Sequence, residues 1–147
     1  MSGKTLPVTG GCLCGAVRYE CDDSPDRAFC CHCSTCQKHA SGPMMGLFFV
    51  PADKFRIVSG KVKTYESSET GRRNFCPTCG TPIAFRRSTR PEVVSVMGGS
   101  LDDPSLFRPL HHLWTESDQV WFHEEGIPSH EKHFPEDALR DLLTFED

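Results

Sequence analysis

Nine cysteines in 147 residues constrain this chain more than any other feature, because eight of them fall into three tight groups. The first is C-x-C at Cys12 and Cys14. The second is the run Cys30-Cys31-His32-Cys33-Ser34-Thr35-Cys36. The third is Cys76-Pro77-Thr78-Cys79-Gly80, a knuckle in which two thiolates from one turn can reach one ion and a glycine lets the backbone curl beneath them. Cys21 stands alone. Clustered thiols in an odd total of nine fit metal binding better than a disulfide framework. The N-terminal stretch has no apolar secretory core, and the longest apolar run, residues 44–50, is too short to span a bilayer. The expectation is a soluble, cytoplasmic protein with reduced thiols and no membrane partner.

The ligands can be divided in two ways. Cys12, Cys14, Cys76 and Cys79 can close one tetrahedral site and leave Cys31, Cys33 and Cys36 as a three-thiolate site with an open position. Alternatively, Cys33, Cys36, Cys76 and Cys79 pair two C-x-x-C knuckles and leave Cys12, Cys14 and Cys31 without common purpose. The first division is preferred, because the second cysteine group is a self-contained ligand run. Closed four-ligand zinc sites build folds, whereas three protein ligands with a free position are the pattern of catalytic zinc. Cys21 reads as an ordinary buried thiol. Cys30 and His32 neighbour ligands on an extended segment and should face away. His39 reaches inward only if its stretch is helical.

Lys and Arg number 16 against 20 Asp and Glu, a formal charge of −4. Seven metal-bound thiolates and two divalent ions would carry the loaded chain to about −7. That excludes a general phosphate-backbone binder, so no nucleic-acid partner is expected. There is no P-loop, no G-x-G-x-x-G and no G-x-S-x-G. His123 and His130 begin no H-E-x-x-H, and the late histidines read as surface groups. C-x-x-C redox chemistry lacks its usual βαβ setting.

With 12 Gly and 11 Pro, the chain is punctuated into short pieces. Strands are expected over residues 13–20, 27–30, 47–50, 72–75, 83–86, 92–97, 112–115 and 119–123, with 55–58 and 63–66 forming a hairpin-like pair. A short helix over residues 34–40, N-capped by Ser34, should follow the second cysteine group. Residues 135–145 carry the clearest helix, with Pro135 at its start, acidic residues in its first turn and an apolar face of Ala138, Leu139, Leu142 and Leu143. The expected fold is mainly β, one zinc-binding domain over residues 1–147, its small antiparallel sheets stapled by zinc.

These segments resemble the glutathione-dependent formaldehyde-activating enzyme family, which includes centromere-protein-V-like proteins. The likeness rests on residues 10–19 (GGCLCGAVRY), 31–38 (CHCSTCQK), 41–42, 75–82 (FCPTCGTP) and the late run from His112 through Trp121 to Pro128, about residues 8–135 in all. The resemblance implies several small coiled sheets and two zinc sites, a structural one at Cys12, Cys14, Cys76 and Cys79 and a catalytic one at Cys31, Cys33 and Cys36. It implies a carbon–sulfur lyase whose partners are a small thiol such as glutathione and a small aldehyde, joined reversibly as S-hydroxymethylglutathione. Cys30 is an extra thiol, and Gln37 stands where the family often has a basic residue. Lys38, Arg72, Arg73, Arg86 and Arg87 are candidates for gripping substrate carboxylates. The alternative is a noncatalytic zinc-binding interaction module; a third reading is thiol redox or metal storage.

Overall fold

The computed structural model describes residues 5–145. Ten strands make two sheets. The smaller contains β1 (Val8–Gly11), β2 (Arg18–Cys21) and β5 (Phe55–Ser59), in the order β1-β2-β5. The larger adds β3 (Ala28–Cys31), β4 (Met45–Pro51), β6 (Lys63–Glu66), β7 (Gly71–Phe75), β8 (Pro82–Arg87), β9 (Val93–Met97) and β10 (His112–Leu113). Its order is β10-β3-β4-β9-β8-β7-β6. Strand pairs are antiparallel except β10 with β3. Two short helices, α1 (Ser34–Ala40) and α2 (Glu136–Leu142), complete the mainly β fold.

The larger sheet is covered on both faces, and β4 shows how. Phe48 and Val50 join Ala28, Ala84, Val94 and Val96 in a core shared with Val8, Tyr19, Cys21 and Phe55 of the smaller sheet. Met45, Leu47 and Phe49 join Phe29, Val93, Met97 and Leu113 in a second core, closed by Phe134 and by Leu142 of α2. Successive side chains of a strand point to opposite faces. A strand buried on both faces therefore reads as a continuous apolar run rather than an alternation. That explains the uninterrupted apolar run of residues 47–50 and the run of 93–97, broken only by Ser95. The second core lies on the face that carries Cys31, Cys33 and Cys36.

Several sequence expectations are corrected. Residues 13–16 form a turn, and the strand expected over 13–20 is reduced to β2. The pair 55–58 and 63–66 is not a hairpin. β5 pairs with β2, so that Phe55 packs on Tyr19 with ring centroids 5.3 Å apart, while β6 pairs with β7 as an exposed edge of the other sheet. Only His112–Leu113 of residues 112–115 is strand, because Trp114 turns into the left-handed region at φ 59°. Residues 119–123 are not a strand, since a turn closes between the Phe122 N–H and the Gln119 carbonyl at 3.1 Å. α2 is shorter than residues 135–145 and ends at Leu142. Among the described residues, no helix is long and apolar enough to cross a membrane.

Candidate metal centres and the cavity beside one of them

Two loops of the same design bring four sulfurs together. In the first, the Gly15 N–H donates to the Cys12 carbonyl at 3.1 Å; in the second, the Gly80 N–H donates to the Cys76 carbonyl at 2.8 Å. Both glycines sit at φ +82°, where a side chain would be strained. Leu13 N–H donates to Thr81 Oγ1 at 3.0 Å and ties the loops together. The Sγ atoms of Cys12, Cys14, Cys76 and Cys79 all lie within 4.8 Å of one another. The Cys12–Cys14 and Cys14–Cys76 separations are 3.6 and 3.8 Å. Tetrahedral thiolates about 2.3 Å from a zinc ion would be about 3.8 Å apart, so the residues fit such an ion. Backbone N–H groups of Val17, Thr78 and Cys79 donate to Cys12 or Cys76 Sγ at 3.2 to 3.4 Å. Thr81, donating to Cys79, holds that thiol down to about 5, so the sulfur is anionic at neutral pH.

The second cluster is built by the junction of β3 and α1. Cys31 ends the strand, Cys33 caps the helix and Cys36 lies in its first turn. The cap is Cys33 rather than the expected Ser34: its Sγ accepts from the Cys36 N–H at 3.4 Å. Helix formation thus turns the two sulfurs toward Cys31, and all three Sγ atoms lie within 4.8 Å. Donation from Cys31 and Cys36 holds Cys33 far below the usual thiol range, while hydrogen bonding to Cys33 pushes Cys31 far above it. The trio's soft donors suit zinc or another thiophilic ion. Cys30 and Cys21 belong to neither cluster; burial pushes each thiol up to about 12.

Arg73, only 6 % exposed, lies against the trio. Its Nη2 donates to Cys36 Sγ at 3.6 Å, Nη1 donates to His39 Nδ1 at 3.2 Å, and Nε donates to Ser67 Oγ at 3.1 Å. His39 therefore accepts a bond from a permanent cation and is neutral; burial lowers its pKa further. The other basic candidates lie elsewhere. Arg72 meets backbone carbonyls and Glu66, Arg86 bonds Asn74 and lies over Phe55, and Lys38 lines a separate surface cleft with Trp121. Arg87 borders the cysteine cavity, as does Arg90, which the sequence reading did not single out.

His32 faces away from the sulfurs, as alternation predicts, but enters a buried polar chain. Its Nε2 is 2.7 Å from His112 Nδ1 and its Nδ1 is 2.9 Å from Asp118 Oδ1; His112 Nε2 is 2.6 Å from Glu124 Oε1. The His32–His112–Glu124 hydrogen bonds, with Asp118 beside His32, connect the segment after β10 to the cysteine segment. The sequence reading placed His112 in a strand and counted it among the surface histidines, whereas it is buried by the polar chain; it missed Asp118 and Glu124, which no local pattern marks.

Cys31, Cys33 and Cys36 border a cavity of about 170 Å³ whose other walls include Phe29, Leu47, Phe49, Val93 and Phe134. Strand register explains the wall: Arg73 opposes Phe85, Phe85 opposes Ser95, and Ser95 opposes Phe49, one row on one face of the sheet.

Comparison with known proteins agrees with this geometry. A model of the family described as glutathione-dependent formaldehyde-activating enzyme matches residues 7–117, a span that contains every cysteine. The chain is also similar to the crystal structure of a Rhodobacter sphaeroides protein, at 27 % identity and a TM-score of 0.55, over 64 % of this chain and 87 % of that one.

Proposed function

The chain belongs to the glutathione-dependent formaldehyde-activating enzyme family, and on that footing we propose that it is a zinc-dependent carbon–sulfur lyase. The reaction joins a small thiol, glutathione in the family's name, to a small aldehyde. The thiol sulfur forms a bond to the carbonyl carbon, the C=O π bond opens, and the thiol proton ends on the oxygen; the reverse step releases both partners. Membership in the family supports a glutathione- and formaldehyde-related activity. The observation that carries the catalytic reading is the convergence of Cys31, Cys33 and Cys36 on a cavity wall, with only three protein sulfurs.

In this reading Cys12, Cys14, Cys76 and Cys79 hold a structural zinc, and Cys31, Cys33 and Cys36 hold the catalytic one. A zinc ion there supplies a cation that favours the thiolate form of a substrate thiol and leaves a position for it. Three anionic ligands weaken Lewis acidity, so positioning of the thiol is favoured over strong carbonyl activation. The chain's own residues do the remainder. Arg73 offsets the excess negative charge of the trio at Cys36. The α1 N-terminus fixes Cys33 and Cys36 relative to each other. Apolar walls exclude water from the addition step. A reducing, cytoplasmic setting would keep all nine thiols available.

The test is acceleration of adduct formation from glutathione and formaldehyde by zinc-loaded protein, with Cys33→Ser as control. Acceleration lost in that variant supports the lyase. Equal rates with and without wild-type protein, with zinc still bound, would favour a noncatalytic zinc module.

A further inference from the structure

Formaldehyde brings a single carbon, and the cavity beside the three sulfurs is far larger than that. At about 170 Å³, it exceeds the roughly 150 Å³ apolar cavity that admits benzene. Much of its wall is hydrocarbon, from Phe29, Leu47, Phe49, Val93, Phe134 and Leu139, while Arg73, Arg87, Arg90, Ser95 and His133 also border it. Against the hydrocarbon part, a zwitterionic, amide-rich glutathione backbone would lose its hydration without finding partners. Beside it lies a second, more open cleft bordered by Ser34, Thr35, Ser67, Ser68 and Ser117. The two spaces share Cys33, Arg73, Phe85, Arg87 and Trp114. Cys33 thus borders two adjoining spaces, the second bordered by more hydroxyl-bearing residues. Arg73 is committed to the sulfur trio, but Arg87 donates to Thr70 Oγ1 at 2.9 Å, an uncharged partner. The Arg87 guanidinium can therefore meet a substrate carboxylate.

Resting on the lyase reading, we propose that the aldehyde this enzyme takes is aromatic or branched, with a hydrocarbon group of about six carbons housed in the Phe29–Phe49–Phe134 cavity. The hydrophilic thiol lies in the serine-lined cleft, its carboxylates toward Arg87. The thiol sulfur adds to the carbonyl carbon at the shared wall, and the thiol proton passes to the carbonyl oxygen. No oxidant or reductant enters.

Calorimetric titration of the zinc-loaded protein with S-benzylglutathione and S-methylglutathione isolates the chamber from the chemistry, because neither thioether can react. Burial of a phenyl group predicts binding about 10- to 100-fold tighter for the benzyl compound. Leu139→Trp, which fills the cavity, should bring that ratio within about threefold. Benzyl alcohol should compete with the benzyl compound, a readout that needs no variant. Equal affinities of wild-type protein for the two thioethers would overturn the proposal. If glutathione–formaldehyde addition were still accelerated, the lyase reading would stand without it. Acceleration with no aldehyde at all, benzaldehyde included, would overturn both.

Discussion

The Arg73 guanidinium donates to Cys36 Sγ at 3.6 Å from a position almost sealed from solvent, stacked 5.0 Å from the centre of the Phe85 ring. A buried cation is stable only beside compensating charge. The sulfur trio supplies that charge, and the pairing runs in both directions. Arg73→Gln is therefore expected to weaken metal binding at Cys31, Cys33 and Cys36 by about 10- to 100-fold, the usual effect of losing a partner behind a ligand. The other cluster should keep its affinity. Chelator competition with a chromogenic zinc indicator separates the two sites.

The His32–His112 contact predicts a coupled pair. Either imidazole replaced alone by phenylalanine leaves a buried nitrogen without its partner, a loss of about 1–3 kcal/mol. His32→Phe combined with His112→Phe removes both orphans and should recover part of that loss. Urea unfolding of the four proteins gives the coupling energy; strict additivity would contradict a direct bond.

Cys14 and Cys76 are 62 positions apart in sequence and 3.8 Å apart in space. A metal at this cluster would staple the β1–β2 loop to the β7–β8 loop, and structural zinc sites return their binding energy as folding energy. Cys76→Ser is expected to lower Tm far more than Cys33→Ser, whose hydroxyl can still cap α1. Thermal unfolding with and without added zinc checks the order.

Arg18 holds Asp102 below the usual carboxylate range by hydrogen bonding, Nη1 donating to Oδ1 at 3.0 Å, and Thr9 adds a second donor. A depressed folded pKa stabilises the protein above the unfolded value of 3.8, and the gain is lost as pH falls through the folded value. Both side chains are more than a third exposed, so the contribution is below about 1 kcal/mol. Arg18→Gln should flatten the stability profile below about pH 4 and leave its slope near neutrality unchanged.

The cysteine groups were legible because metal-ligand spacing is a local property. C-P-x-C-G specifies a turn with a left-handed glycine, and Gly80 adopts it. The apolar runs of β4 and β9 were legible for the same reason. Partnerships between distant segments were not. Nothing in residues 55–66 says that β5 joins Tyr19 while β6 joins Arg73's strand, because strand pairing is decided by which core needs Phe55. Residues 119–123 carry a strand composition, yet Asp118 and Gln119 are drawn to His32 and Gln37, and a turn results. Arg73 was one of five basic candidates, and only tertiary packing set it against the sulfurs rather than in solvent.

Sulfur coordination measured by zinc-edge X-ray absorption tests the central claim most directly. Four sulfurs at one cluster and three at the other average to about 3.5 per zinc, with a light atom completing the second site. Added glutathione should raise the average to about four and displace the light atom. An average of four sulfurs before glutathione, unchanged after it, would mean that the site has no open position and would contradict the account.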